Sequence, residues 1–446
     1  SMLINAGHPD SLDSDGTRAD IGAYAYQNSY IGPDWYVSES GNDLTATGGS
    51  NDPFRSIQAA LNFGSDEDTA FVSEGTYNEN LVYRYDESEN IRSVNLVGEN
   101  RESTIIDAQN VSKGIILPPN GYSSVLIKNF TIQNGSGNGE IDSTNTYGGY
   151  GGGIAVGHNY EMVKLHNLII KNCSVIAGSW GAKGGGIYSE SSSLDIFNVF
   201  LHNNSSQEDG GGLYFEVNEN KYLNINSTLI QNNNSSEKGG GILIVGGIID
   251  ISNSEISFNN SSGFGGGIYT TNGTVGDISD IRILGNSASQ GGGSFFNSAD
   301  IDLDEIIFAN NSSGEGSAFK MFESSIDVIN SNLAENTSNG NFGVNSGSIF
   351  LHSSPNTLNL VNTVLTNNGE YELVAQYPTS GTNEIFVEYS MLEGGNNFLL
   401  SENSNVFWGP GNLDVDPRFV NQENLNFELL ASSQLINAGH PDSLDS

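Results

Sequence analysis

The chain of 446 residues contains one cysteine, Cys173, which excludes a disulfide framework and a zinc site built from thiolates. Proline is scarce at 10 residues while glycine reaches 56, and charged residues make up only 15%. That balance fits neither a collagen-like repeat nor a charge-driven disordered polymer. Basic residues are few, 15 against 53 acidic, for a formal charge of −38. A field of that sign repels nucleic acid and anionic lipid and makes cations the natural partners. No run of about eighteen apolar residues occurs, so no membrane insertion is expected. No signal peptide is visible either; Ser1-Met2 reads as an appended start, so the natural N-terminus is expected upstream. The hydrophobic content of 36% is low for a compact globule but suits a narrow column of core.

What the chain does have is repetition. From about Leu194 to Leu360, three landmarks recur in order: an alternating apolar strand, an Asn-Ser turn, and a Gly-rich turn leading into a second apolar strand. The Asn turn falls at Asn204, Asn234, Asn260, Asn286, Asn311, Asn336 and Asn368, with successive differences of 30, 26, 26, 25, 25 and 32. Gly-Gly-Gly-Ile or a close variant stands at 184–187, 210–213, 239–242, 265–268 and 291–294. A period near 26 carrying three short strands is one coil of a parallel β-helix. Coils stacked at roughly 4.8 Å place each residue over its counterpart. Inward Ile, Leu and Val then bury apolar surface, while stacked Asn side chains bond along the axis. The expected fold is all-β, a right-handed parallel β-helix with an N-terminal capping helix. That helix is read over Phe54 to Phe63, with Asn51 or Asp52 as N-cap and Pro53 in its first turn.

The opening WYVSESGND…PFRSIQAAL…EGTY, the coils, the late DPRF…FELLASSQLINAG and the early DGTRADIGAY together resemble bacterial right-handed parallel β-helix proteins of the pectate-lyase-like class. The Gly-Gly-Gly-Ile turn paired with an upstream Asn is similar to the repeats of polymorphic outer-membrane adhesins. The resemblance implies the fold, and it leaves activity open. In such proteins DGTRADIGAY would follow INAG, but here it precedes the cap. Residues 435–446, LINAGHPDSLDS, also repeat residues 3–14 letter for letter. The expected organisation is one period of a tandem array, 435 − 3 = 432 residues long. Residues 1–32 end a preceding module and 33–434 form the β-helix, with a cap at 33–81, coils at 82–412 and a terminal coil at 413–434. Residues 435–446 begin the next junction. A designed or local duplication is the alternative.

Three constellations could carry chemistry. Asp10, Asp13, Asp15 and Asp20, with Gly16 between them, offer hard oxygen ligands on a turning loop, a possible calcium site; a polar linker with Asx turns is the competing account. An outward row of Asp195, Asn224, Asp250, Asp302, Asp327 and Asn359 places like charges on neighbouring strands. The third is a column after each Gly turn, Tyr188, Tyr214, Leu243, Tyr269, Phe295 and Phe319, which is core if it faces inward and a sugar platform if it faces out. Trp180 lies in a long coil with Lys164, His166 and Lys183, where a groove could form.

The expected function is a structural or adhesive module of a secreted or surface-displayed bacterial protein, partnered by neighbouring copies of itself and by polysaccharide. Calcium would stiffen its junctions. The alternative is a polysaccharide lyase or glycoside hydrolase of the same fold, which would need a base or a carboxylate pair that the scattered basic residues do not reveal.

Overall fold

Apolar residues alternate with polar ones, and every few residues a position demands a left-handed backbone. Together these wind the chain into a parallel β-solenoid, seen here in a computed structural model. It describes His8, Ser11, Leu12, Ala19 and residues 30–85, 91–137, 149–178, 181–217, 221–338, 347–352, 355–376, 381–402 and 404–442. The chain divides into two units, Ser1–Ser206 and Gln207–Ser446.

The first unit begins with the strand Asp34–Val37, whose Trp35 stacks against both Phe54 and Phe63, with centroids 6.1 and 5.9 Å away. Its indole donates to Asp68 at 2.8 Å. The helix is shorter than the sequence suggested, Ile57–Phe63, and its N-cap is Ser56. Asp52 is not the cap because its carboxylate accepts from the Thr47 amide. Glu79 instead receives the first two helical N–H groups, from Ile57 and Gln58, at 2.8 and 2.9 Å. Beyond the cap, inward residues stack in register: Trp35, Ala70, Leu96, Ile127, Leu165 and Ile196 form one column.

A regular coil of the second unit has a long strand bent at a left-handed residue, a two-residue strand and a four-residue strand. Ile248–Ser257, Asn260–Ser261 and Ile268–Thr271 make up one such coil. Ile251, Ile278, Leu303, Val328, Leu360 and Val387 stack as one core column. The Asn ladder is Asn233, Asn259, Asn286, Asn311, Asn336 and Asn368, each buried and bonded to the next through amide and backbone at 2.9–3.1 Å. Asn234 and Asn260, expected in this ladder, lie one residue outside it and are exposed. The turn needs two residues: a left-handed one, such as Phe258 or Asn310, and the ladder residue that follows it. In the first unit Asn204 fills the ladder place and accepts from the Cys173 amide at 3.0 Å. Burial pushes the Cys173 thiol up to about 12, which makes it unreactive.

Gly265, with φ +64, shows why the Gly turn starts as it does: a Cβ there would lie 2.4 Å from the Ile268 carbonyl oxygen. Leu413 still pairs parallel with Met391, and the chain after it folds back as a hairpin. Phe419–Asn421 pairs antiparallel with Asn426–Leu429, and Phe427 packs this hairpin across Leu284, Ala309 and Ala334 of three successive coils.

Candidate functional site

The aromatic column is neither simple core nor open platform. Ile187, Leu213, Ile242 and Ile268 take the inward places, so Tyr188, Tyr214, Tyr269 and Phe295 point outward, yet they are only 1, 4, 6 and 7% exposed. The residues just before each Gly turn form a ladder of their own that covers them. Tyr150 stacks on Tyr188 at 4.7 Å, and Phe264 packs against Tyr269 and Phe295. These rings are therefore almost wholly covered and offer little open face to a sugar. Phe319, placed in this column from sequence, pairs with Ser294 and points inward. Lys320 takes the outward place, 5.4 Å from the Phe295 ring and 5.1 Å from Phe350, with its ammonium on Glu315 and, at 2.7 Å, Gln290. Burial lowers its pKa while Glu315 opposes the shift, so it is a packed ion pair with nothing free to react.

An open face does exist, in the first unit. Val125–Gln133, Val163–Lys171 and the strands Leu194–Phe197 and Phe200–His202 stack in register, and their outward residues form rungs. Lys128, His166 and Phe197 lie on one row. Lys164 stands beside Asp195, and Gln133, Lys171 and His202 make another row. His166 Nε2 lies 2.9 Å from Asp195 Oδ2, and its ring meets Phe197 edge-on at 5.8 Å. Phe197 is 46% exposed. Phe200 stacks on His202 at 3.9 Å, and burial, helped by the Lys171 charge, holds the His202 imidazole below its usual pKa. The rows bend together because Asn129, Asn167 and Asn198 are all left-handed and bond one to the next at 2.7 and 3.0 Å. Lys128, Lys164 and the open Phe197 ring thus stand on the strands before this bend and Lys171 on the strands after it, in a chain whose net charge is −38.

The corresponding strands of the second unit carry the opposite sign. Asn224, Asp250, Asp277, Asp302, Asp327 and Asn359 lie in one register row. Asp277 was missed in the sequence because Gly276 replaces the apolar residue expected before it. Burial first, then the charges of Asp327, Asp277 and Asp300, raise the Asp302 pKa. Among the described residues no group of three His, Cys, Asp or Glu side chains is placed to hold a metal ion. The calcium candidates Asp10, Asp13, Asp15 and Asp20, and the glycan candidate Trp180, lie outside the described residues. Among the described residues no helix is long and apolar enough to cross a membrane.

Residues 39–104 match a family described only as a protein of unknown function (DUF1565). No curated protein matches. Among solved structures, the chain is similar to the pectate lyase Pel9A, at 13% identity, with 93% of each chain covered and a TM-score of 0.37. It is also similar to the GH136 lacto-N-biosidase from Eubacterium ramulus, at 10% identity over 84% of this chain and 66% of that one, TM-score 0.37. Pectin methylesterase PemA from Erwinia chrysanthemi is 12% identical over 86% and 94%, TM-score 0.23.

Proposed function

We propose that the chain is a structural and adhesive module of an extracellular or cell-surface bacterial protein, repeated in tandem, and that it holds an anionic polysaccharide on the Lys128–Lys164–Lys171 face. The observation that carries this reading is that face itself, with cationic rungs around the exposed Phe197 ring on an otherwise acidic chain. Rungs repeat at roughly 4.8 Å, so an extended chain of acidic sugars crossing them meets ammonium groups and a ring face in succession. A sugar stacked on Phe197 excludes water from the apolar face of its ring, while the lysines select carboxylated or sulfated units.

A second reading is that the same face cleaves what it binds. Lys164 beside Asp195 and His166, with Lys171 and His202 beyond the bend, supplies the strand-face cations and bases that β-elimination from a uronate requires. One experiment separates the two. Binding of polygalacturonate and of a neutral glucan is measured for the wild type, for K128E/K164E/K171E and, as a charge control, for R282E in the second unit. The expected result is a polyanion-selective complex that the triple variant weakens at least tenfold and that R282E and the neutral glucan do not reproduce. Equal binding by the triple variant would remove the face from the account. Release of unsaturated uronides, seen as new ultraviolet absorbance, would make the protein a lyase.

A further inference from the structure

The C-terminal hairpin does not end where its apolar packing ends. Past Leu429 the chain is held by Ser433, whose hydroxyl donates to the Pro417 carbonyl at 2.7 Å. It then turns through Leu435–Ala438, where the Ala438 amide donates to the Leu435 carbonyl and Asn437 is left-handed. This brings Gly439 and His440 onto a ledge of three coils. The His440 amide donates to Asn362 Oδ1 at 2.7 Å, and its ring meets Tyr389 edge-on at 4.8 Å. Asn362 donates in turn to Asn330 at 3.0 Å. Glycine eases the approach, since a Cβ on Gly439 would lie 3.1 Å from Asn362 Oδ1, tighter than an ordinary contact. Behind this contact is a cavity of about 680 Å³, lined by Asn330, Asn362, Tyr389, Leu435 and His440 among others. The segment is thus seated by a few specific contacts over an open space.

The seated segment, Leu435 to Pro441, exists twice in the chain: residues 3–9 have the same seven letters, with Gly7 and His8 in the places of Gly439 and His440. His8 is exposed. Whatever contacts the ledge makes to one copy it can make to the other, because side chains and glycine are identical. We propose that the Asn330–Asn362–Tyr389 ledge is a receptor for this segment, and that residues 3–9 of a second copy of the chain occupy it in exchange for residues 435–441, joining copies head to tail. The inference deepens the tandem reading above by naming the surface through which modules join, but it stands on the duplicated segment alone. A gene with a single module would overturn the array and leave the ledge untouched; failure of the exchange would leave the array standing.

In the intact chain the tethered copy has the advantage of a high effective concentration, of order millimolar, so exchange is suppressed until the tethered copy is weakened. The test uses the full chain. G439V/H440A disables the C-terminal copy and spares residues 3–9, and the expected result by sedimentation is a concentration-dependent rise in mass to at least twice the monomer. Adding G7V/H8A, or N362G on the ledge, should return the monomer. A monomer in G439V/H440A, or association that survives G7V/H8A, would overturn the proposal. A second measurement guards against a misfolded variant. A chain with His8→Cys is mixed under oxidising conditions with one carrying Tyr389→Cys, in wild-type and in G439V/H440A backgrounds; the native Cys173 is buried and stays silent. The expected product is a disulfide-linked pair, several-fold more abundant in the second background, and its absence from both sinks the exchange.

Discussion

At the scale of single residues, the Asn ladder of the second unit ends against a carboxyl group. The Asn368 amide donates to the Leu333 carbonyl and to Glu372 Oε2, both at 2.7 Å, so Glu372 fills the acceptor place that a further Asn would hold. Glu372 is 2% exposed; burial, reinforced by Glu393 and opposed by the Asn368 donor, pushes it up to about 7. A group whose folded pKa lies above its unfolded value favours folding most when protonated. Its contribution is complete below the ordinary glutamate range and is lost as pH rises through about 7. Glu372→Gln keeps the acceptor and removes the titration. The variant should match the wild type below about pH 4 and exceed it near pH 8 by as much as about 3 kcal/mol, a figure set by the size of the shift. Denaturant unfolding at the two pH values checks this, and parallel pH dependence of the two proteins would contradict it.

At the scale of the element, the turn between the long and two-residue strands shows what the sequence could and could not reveal. Its period and its Asn were legible because stacking forces like over like. Its register was not, because Asn-Asn pairs offer two candidates and only the backbone tells which is left-handed. Asn259 accepts from the Asn233 amide and side chain and donates to the Ile230 carbonyl, all buried. The Asn260 side chain bonds only Asn234, at the surface, among the bonds described. Asn259→Ala should therefore cost about 3 kcal/mol, since it strands two donors and an acceptor. Asn260→Ala should stay within about 0.5 kcal/mol. Equal costs in thermal unfolding would restore the sequence-based register. The cationic face escaped for a related reason. Lys128, His166 and Phe197 align only across coils of 38 and 31 residues (166 − 128 and 197 − 166), so no single period brings them together. Phe319 misled because Ser317 and Ala318 replace two glycines and shift the apparent end of the turn. The cap was found with its boundary misplaced, since the acceptor for its first amides is Glu79, more than twenty residues away in the chain.

At the scale of the whole molecule, a solenoid has stability that is close to a sum of nearest-neighbour terms, so its coils should open one after another from an exposed end. The C-terminal hairpin of the second unit breaks that rule. Phe427 bridges Leu284, Ala309 and Ala334, Gln422 donates to Glu335 at 2.7 Å, and His440 reaches Asn362 and Tyr389, so one strap binds five coils that otherwise meet only in sequence. Opening any of them must break the strap or carry it along, which couples their equilibria. Phe427→Ala removes the apolar centre of the strap, at a cost of about 3 kcal/mol by analogy with other large-to-small changes at buried sites. The more diagnostic effect is on cooperativity. In native-state hydrogen exchange with added denaturant, the amides of the Leu284, Ala309 and Ala334 coils should share one opening free energy in the wild type. In Phe427→Ala they should separate into a graded series. Three distinct values already present in the wild type would mean that the strap lies on the coils without tying them, and that winding alone sets how this unit opens.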